Sequence, residues 1–153
     1  MLATSFTPYS PDTSLPEVYI FDIDGTLAHI DADNPRDVYD GSRAHEDILD
    51  GVVSDILRMM WKDGKNVIIM SARNDEHRDV TENWLSIHRI PYDHLYMTPK
   101  GDPRNDDHIK HDLFHEHVAP NYWVRGVFED RAHVVDMWRA IGIKCLQVQE
   151  GNF

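Results

Sequence analysis

The 153-residue sequence has one cysteine and no long apolar run. The single cysteine excludes an internal disulfide framework and a thiolate zinc cage, and it fits a reducing compartment. We expect Cys145 to be a small core residue, because apolar residues surround it in the sequence. No apolar stretch approaches the roughly 20 residues of a membrane-spanning helix, and the N-terminus lacks the pattern of a signal peptide. We therefore expect a soluble, cytoplasmic protein without a membrane partner.

Basic residues are also scarce, since 15 Lys and Arg stand against 27 Asp and Glu, for a formal net charge of -12. Proteins hold phosphate backbones mainly through Lys and Arg, so this balance predicts weak non-specific attraction to polyanions. Any contact with nucleic acid must be local. The hydrophobic content of 41% is sufficient for one domain with a real core.

Strand-like and helix-like segments alternate along the chain, which predicts an α/β domain with a mostly parallel five-stranded sheet and helices on both faces. The predicted strands cover residues 18–21, 66–71, 94–97, 123–128 and 143–148. Helical patterns lie between most of these strands. Ser, Thr and Pro dominate residues 1–16, so we expect a flexible or surface-draped arm before a domain over residues 17–153.

Residues 29–50 are polar and acidic, and Pro35 and Gly41 interrupt them. We expect a long loop over the end of the first strand, a position typical of lids and binding loops. The chain between Thr26 and Val52 is too short for a large lid. We therefore expect a minimal cap and an open site.

The most informative stretch is VYIFDIDGTLA, residues 18–28, in which a strand-like run leads into Asp22 and Asp24. Residues two apart in a strand point the same way, so these carboxylates should converge where the chain turns. Two adjacent carboxylates repel unless a cation lies between them or their protonation states differ, and a hard metal such as Mg²⁺ suits oxygen ligands. An acidic surface turn is the alternative, but a buried-looking apolar run does not usually lead into one.

Polar residues follow two other predicted strands, Ser71 with Arg73 and Glu129 with Asp130. Ligands of parallel sheets bind outside the carboxyl ends of the strands, so we expect these groups at one site. Lys110 on a neighbouring helix would add a positive charge. The set suits a phosphate group, because one carboxylate can attack phosphorus to form an aspartyl-phosphate while another transfers protons.

These residues carry a resemblance to a known family. FDIDGTLA resembles motif I of the haloacid dehalogenase (HAD) superfamily, Ser71 its motif II, Lys110 its motif III, and Glu129 with Asp130 its acidic motif IV. Three further stretches are similar to the 3'-phosphatase domain of phage-type polynucleotide kinase/phosphatase. They are SARN, GDPRNDDHIKHDLF and FEDRAHVVDMWRAIGIKCLQVQEGNF. The resemblance implies a Rossmann-like, three-layer HAD fold.

The resemblance also implies roles for individual positions. Asp22 would be the nucleophile, and Asp24 the general acid and base whose backbone carbonyl also reaches Mg²⁺. The metal site would comprise Asp22, Asp24, Glu129 and Asp130. The residues for phosphate and substrate would be Thr26, Ser71, Arg73 and Lys110, with Asp106 orienting Lys110 or Arg73.

The implied activity is Mg²⁺-dependent removal of 3'-phosphate from polynucleotide ends in nucleic-acid repair, in the host cytoplasm if the chain is phage-encoded, with a separate kinase or ligase as a partner. No GxxxxGK[ST] loop occurs, so we do not expect a kinase half like that of the phage enzyme within these 153 residues. Asp33 lies where relatives place a basic residue and would repel phosphate, unless Arg36 substitutes. A (deoxy)nucleoside monophosphatase is therefore an alternative, and a non-catalytic phosphate-binding regulatory module is a second.

His111 and His115 have the one-turn spacing of a zinc-binding pair. No strong third ligand is evident, and such a pair arises readily by chance among ten histidines. We do not predict a metal site there.

Overall fold

The computed structural model describes residues 6–152, and five of the strands in this part of the chain form one parallel sheet. The strands are β1 (Glu17–Phe21), β2 (Ala28–His29), β3 (Ile48–Leu49), β4 (Asn66–Asn74), β5 (His94–Thr98), β6 (Trp123–Glu129) and β7 (Cys145–Gln147). The helices are α1 (Gly51–Lys62), α2 (Arg78–Ile87), α3 (Asp106–Leu113) and α4 (Ala132–Ala140). The predicted α/β fold class is confirmed.

The sheet has the strand order β5-β4-β1-β6-β7, so β1 lies at its centre. Phe21, the last residue of β1, pairs with Ile69 of β4 and with Phe128 of β6. The three central strands therefore run in one direction and deliver the residues that follow them to the same edge. A binding site is expected at this edge of a parallel sheet.

Two apolar layers cover the sheet. Val18 and Ile20 of β1 pack in a cluster with residues of α3 and α4, whereas Phe21 packs in a second cluster with residues of α1 and α2. Side chains alternate between the faces of a strand, so a strand covered on both faces reads as a continuous apolar run. Each fully buried side chain of this size contributes about 1.5–3 kcal/mol.

The long loop predicted over residues 29–50 is closed at its base by a short antiparallel ladder. Ala28 pairs with Leu49 and His29 with Ile48, so β2 and β3 bring the ends of the excursion together. A 3₁₀ turn, Gly41–Glu46, lies within it, and the Asp50 side chain accepts a hydrogen bond from the Val53 N–H at the start of α1. The sequence analysis did not predict this ladder, because two-residue strands have no periodicity to detect.

The described part of the predicted arm, residues 6–16, follows the surface of the domain. Tyr9 donates its backbone N–H to the carbonyl of Ile141, and its hydroxyl accepts a hydrogen bond from the Val124 N–H. Thr7 lies between His111 and His115, donating to the first and accepting from the second. These contacts agree with a surface-draped segment rather than a freely flexible one. The first five residues of the predicted arm, and Phe153 at the end of the predicted domain, lie outside the described residues.

Two further expectations concern the core and the membrane. Cys145 is buried, and burial raises the pKa of its thiol to about 12. This confirms its assignment as a core residue.

Between residues 6 and 152, no helix combines the length and the apolar character that crossing a bilayer requires.

Candidate active site

Asp22 directly follows β1 and is 5% exposed. Its backbone N–H donates to the Phe128 carbonyl of β6 at 3.0 Å, which extends the strand pairing by one residue. The Thr26 hydroxyl donates to Asp22 Oδ2 at 3.1 Å, because the turn after β1 brings the threonine back towards the strand end. These two bonds hold the Asp22 carboxylate at the edge of the sheet.

Lys110 of α3 lies between two carboxylates. Its Nζ is 2.8 Å from Asp22 Oδ1 and 2.7 Å from Glu129 Oε2, and all three side chains are buried. Burial lowers the pKa of Lys110, but the two carboxylates more than compensate and hold the pKa well above its ordinary value. The lysine is therefore a permanent cation at this point.

Glu129 ends β6 and Asp130 follows it, both 1% exposed. The Asp130 N–H donates to Glu129 Oε1, and the Gln147 side chain donates to the Asp130 carbonyl. Asp130 Oδ2 is buried and has no hydrogen-bond partner within residues 6–152. A buried carboxylate oxygen without a partner costs free energy, so it calls for a cation or a proton.

Gly25 makes room for this oxygen. Its φ of +84° is a conformation that side chains disfavour, and a Cβ at this position would lie 1.9 Å from Asp130 Oδ2. The turn after β1 thus requires glycine both for its backbone angle and for the space beside Asp130.

The three buried acids differ in electrostatics. Burial raises the pKa of Asp22, but the Lys110 charge and hydrogen bonds lower it below its ordinary range. Burial and the neighbouring Asp22 charge raise the pKa of Glu129 well above its usual value, and raise that of Asp130 to about 7. The single ammonium of Lys110 does not neutralise three carboxylates. Asp22 is therefore the one that ionises most readily, and its charge disfavours ionisation of Glu129 and Asp130.

This arrangement fits a divalent cation. Oxygen atoms of Asp22, Glu129 and Asp130 lie within 4.8 Å of one another. Carboxylate oxygens are the ligands that Mg²⁺ prefers, and both the unpartnered Asp130 oxygen and the space kept by Gly25 suit a bound ion. Among the predicted metal ligands, the side chain of Asp24 lies outside this cluster. The predicted contact through its backbone carbonyl stays a prediction.

Asp24 instead pairs with Arg73, whose Nε and Nη2 lie 2.9 and 2.8 Å from its two carboxylate oxygens. Arg73 is displaced from regular strand geometry, because Ser71 pairs with Met97 of β5 and Asn74 with the next residue, Thr98. The two intervening residues of β4 form a bulge, a feature that redirects side chains beside active sites.

Asp47 is a buried residue of this site that the sequence analysis missed. It accepts hydrogen bonds from Nε and Nη2 of Arg36 and one from Nη2 of Arg73, and all three side chains are at most 3% exposed. Arg36 Nη2 also lies 3.6 Å from Asp24. Arg36 therefore reaches the site, as proposed for it in place of a basic residue at position 33, whereas Asp33 is exposed. The only signal for Asp47 was an acid next to Ile48 in a polar loop.

The remaining predicted residues have different positions. Ser71 is fully buried, and its hydroxyl accepts a hydrogen bond from the Arg73 N–H. The Asp106 carboxylate pairs with Arg131, not with Lys110 or Arg73, so the expected partner of Asp106 was wrong. Arg131 lies between Asp130 and the start of α4 at Ala132, and its side chain reaches Asp106 at the first turn of α3.

A cavity of about 330 Å³ opens over these groups. Asp22, Asp24, Arg73, Lys110 and Asp130 line its floor, and residues of the 29–50 loop and of the segment before α3 form its walls. The lining residues include Val38, Tyr39 and Gly41 of the loop, Asp102 and Arg104 of the segment before α3, and also His77 before α2 and Arg131 before α4. Arg104 pairs with Asp102 and Asp112, so its charge is locally compensated.

His111 of α3 and His115 of the π-helical turn that follows it, Phe114–Val118, bind the N-terminal segment. His111 Nε2 accepts the Thr7 N–H at 2.8 Å, while its Nδ1 lies 2.8 Å from Asp112. His115 Nε2 donates to the Thr7 carbonyl at 2.9 Å. In the described part of the chain, the acidic cluster at Asp22 is the group that could hold a metal ion.

The chain has a central parallel sheet, a DxDGT turn after the middle strand β1, and two acids, Glu129 and Asp130, at the end of the neighbouring strand β6. These features define the haloacid dehalogenase class of phosphatases. The fold matches D,D-heptose 1.7-bisphosphate phosphatase from B. bronchiseptica, complexed with magnesium and phosphate, with a TM-score of 0.59 and 15% identity. The match covers 89% of this chain and 82% of that one. The predicted Rossmann-like HAD core is thereby confirmed.

The family model for the polynucleotide kinase PNKP phosphatase domain matches residues 16–153. The chain belongs to this family, and it is therefore a HAD-type phosphatase domain of the phosphoric monoester hydrolase class. The resemblance seen in the sequence is confirmed.

Two similar proteins are longer than this chain. A chain from the structure of the Pnkp1/Rnl/Hen1 RNA repair complex is 40% identical, with a TM-score of 0.90, over 99% of this chain and 48% of that one. The "Putative bifunctional polynucleotide kinase/RNA ligase" of Autographa californica nuclear polyhedrosis virus is 27% identical over 141 residues, which are 91% of this chain and 20% of the viral protein. This chain thus spans half or less of the length of these relatives.

Proposed function

We propose that this chain is a Mg²⁺-dependent phosphatase that removes 3'-phosphate from polynucleotide ends through an aspartyl-phosphate at Asp22. The observation that carries the proposal is the position of Lys110, which contacts both Asp22 and Glu129, beside Asp130, at the carboxyl ends of β1 and β6. Membership in the PNKP phosphatase-domain family supports the choice of a nucleic-acid end.

In the first step, Asp22 is ionised because Lys110 lowers its pKa against the effect of burial. One carboxylate oxygen attacks phosphorus, and the bond from phosphorus to the 3'-oxygen breaks. Asp24 donates a proton to that oxygen, so the polynucleotide leaves with a 3'-hydroxyl.

In the second step, the ionised Asp24 takes a proton from a water molecule whose oxygen attacks the phosphorus. The bond from phosphorus to Asp22 breaks, inorganic phosphate leaves, and Asp24 is protonated again. Asp22, Glu129 and Asp130, with the predicted carbonyl of Asp24, would hold Mg²⁺, which neutralises carboxylate and phosphate oxygens together.

Two cations of the chain lie close to Asp22 and Asp24, and each is paired with carboxylates. Lys110 is fixed beside the nucleophile, and Arg73 lies beside the proposed acid and base. Arginine binds phosphate through paired N–H donors, so a substrate phosphate can take over bonds that Arg73 makes with Asp24. Thr26 and Ser71 then act by fixing Asp22 and the Arg73 backbone rather than by lining the cavity.

The first experiment measures Mg²⁺-dependent phosphate release from an aryl phosphate. We expect turnover by the wild-type chain and a loss of at least about a thousandfold with Asp22→Asn, because a nucleophile is removed. Asp63→Asn is a matched control, since that side chain is 76% exposed and outside the cavity. Equal rates for wild type and Asp22→Asn would refute covalent catalysis by Asp22. No turnover at all would favour the non-catalytic phosphate-binding module.

A second experiment compares oligonucleotides carrying a 3'-phosphate or a 5'-phosphate with free mononucleotides. We expect the 3'-phosphorylated end to have the highest kcat/KM. A preference for mononucleotides would favour a nucleoside monophosphatase, which the formal net charge of -12 also suits because a mononucleotide needs no basic track. The names of the similar proteins lead us to propose a kinase or RNA ligase as the working partner.

A further inference from the structure

Tyr39 has an unusual combination of exposure and position. The side chain is 79% exposed, yet it lines the same cavity as Asp22 and Lys110. Its ring stacks on no other ring within residues 6–152, and its hydroxyl has no hydrogen bond there. A large aromatic side chain at the mouth of a polar cavity, and not used in the core, is available to a ligand.

The loop that carries Tyr39 is firmly held. Nη1 of Arg36 donates to the carbonyls of Asp37, Val38 and Asp40 at 3.0, 3.4 and 3.1 Å, while its other nitrogens bind the buried Asp47. The Tyr39 N–H itself donates to Asp37 Oδ1 at 2.8 Å. One guanidinium thus ties the tyrosine loop to the same buried carboxylate that binds Arg73.

The loop also packs closely against His77. A Cβ added at Gly41 would lie 2.6 Å from the His77 ring, so the backbone rests directly on that side chain. His77 lines the cavity as well. The tyrosine therefore projects from a loop with both ends fixed, and little conformational entropy is lost when a flat partner binds it.

Charge alone does not favour a nucleic-acid end at this mouth. Asp37 and Asp40 flank Tyr39, and the chain has a formal net charge of -12. An uncharged aromatic face supplies affinity for a nucleobase without a cation, because every base has a π-face. The cavity of about 330 Å³ is near the lower limit of ligand pockets, so it suits a phosphorylated sugar while the base lies at the rim.

We propose that Tyr39 is the stacking platform for the base of the terminal nucleotide whose phosphate binds at Asp22 and Lys110. The inference rests on the proposed function and makes it more specific: the substrate has a nucleobase next to the phosphate, and Tyr39 distinguishes it from simple sugar phosphates.

The experiment uses two 3'-phosphorylated oligonucleotides that differ in one feature, a normal terminal nucleotide or an abasic terminal sugar. We expect Tyr39→Ala to lower kcat/KM by about 5- to 150-fold on the first and by less than about twofold on the second, since stacking is worth roughly 1–3 kcal/mol per base. Tyr39→Phe keeps the aromatic ring, so it should retain the wild-type preference for the normal terminal nucleotide over the abasic sugar. Trp61→Ala, an exposed aromatic residue of α1 outside the cavity, is the control.

Binding separates this inference from the proposed function. In an Asp22→Asn background, fluorescence anisotropy with the same two oligonucleotides measures affinity without turnover. A base-dependent loss with Tyr39→Ala supports the platform even if hydrolysis is absent. Equal losses on both oligonucleotides, or no loss on either, would overturn it, whereas circular dichroism shows whether the variant is folded.

Discussion

Replacing Asp47 by asparagine removes a charge that two arginines share. Asp47 accepts two hydrogen bonds from Arg36, at 2.9 and 2.7 Å, and one from Arg73 at 2.9 Å. Asparagine has nearly the same shape, so the packing beneath the 29–50 loop is preserved. The substitution therefore isolates the loss of a buried negative charge beside two buried cations.

The expected cost follows from what remains after the substitution. Removing one partner of a buried ion pair costs about 3–5 kcal/mol. Arg73 keeps both bonds to Asp24, and Arg36 keeps its three backbone carbonyls, so we expect the lower end of this range, about 3 kcal/mol. For a domain of this size each kcal/mol lowers Tm by about 2–4 °C, which gives a decrease of about 6–12 °C.

The assay is urea unfolding together with a thermal melt of the whole chain. Asp55→Asn is the matched control, because that carboxylate is 75% exposed and only 3.6 Å from an arginine of the same helix. The control should unfold like the wild type, since exposed ion pairs contribute little. If Asp47→Asn unfolds at the same urea concentration as the control, Asp47 does not carry a buried charge that stabilises the site.

Three further predictions test other parts of the chain. Gly25→Ala should abolish both activity and the rise in Tm that MgCl₂ gives the wild type, because its Cβ would lie 1.9 Å from Asp130 Oδ2. Asp50→Ala should lower the free energy of unfolding by about 1 kcal/mol at neutral pH, because α1 loses its cap. Burial raises the pKa of Asp50, but hydrogen bonds with His29 and the first turn of α1 more than compensate and lower it. The cost of the substitution should therefore shrink in urea titrations below about pH 4, where the wild-type carboxylate becomes protonated. Tyr9→Phe should cost about 1–3 kcal/mol in urea unfolding, because the buried Val124 N–H loses its acceptor.

The fold and the centre of the site could be predicted because their signals are local. A strand buried on both faces, such as β1, is a continuous apolar run, and the polar residue that ends it, Asp22, marks the edge of the sheet. The same holds for β6 with Glu129, and Ser71 ends the apolar run of β4, although that strand continues to Asn74. The meeting of Asp22 and Glu129 at Lys110 then follows from one rule, that ligands bind at the carboxyl ends of parallel strands.

The ion pairs of Arg36 and Arg73 with Asp47 could not be predicted, because they depend on burial of part of the 29–50 loop. Asp47 lies 11 residues from Arg36 and 26 from Arg73, and neither separation has a periodic signature. An acidic loop normally stays in water, and only the tertiary fold shows that one of its acids is buried. The partner of Asp106 was also missed, because Arg131 lies 25 residues away and that separation has no periodic signature.

The charges of the site connect metal binding to proton transfer. When Asp22, Glu129 and Asp130 are all ionised, one ammonium, Lys110, leaves two negative charges, and a bound Mg²⁺ ion would supply two positive ones. Asp24 and Asp47 are already balanced by Arg36 and Arg73.

With metal bound, the site therefore has no unpaired cation for a phosphate group, unless one of its acids is protonated. Protonation of Asp24 releases Arg73 towards the phosphate and at the same time places on Asp24 the proton that the leaving oxygen requires. Phosphate binding and protonation of Asp24 are therefore coupled. We therefore expect Asp24→Asn, which mimics the protonated form, to bind a 3'-phosphorylated end at least as tightly as the wild type while it releases the polynucleotide slowly. Weaker binding by Asp24→Asn would show that Arg73 does not need to be released.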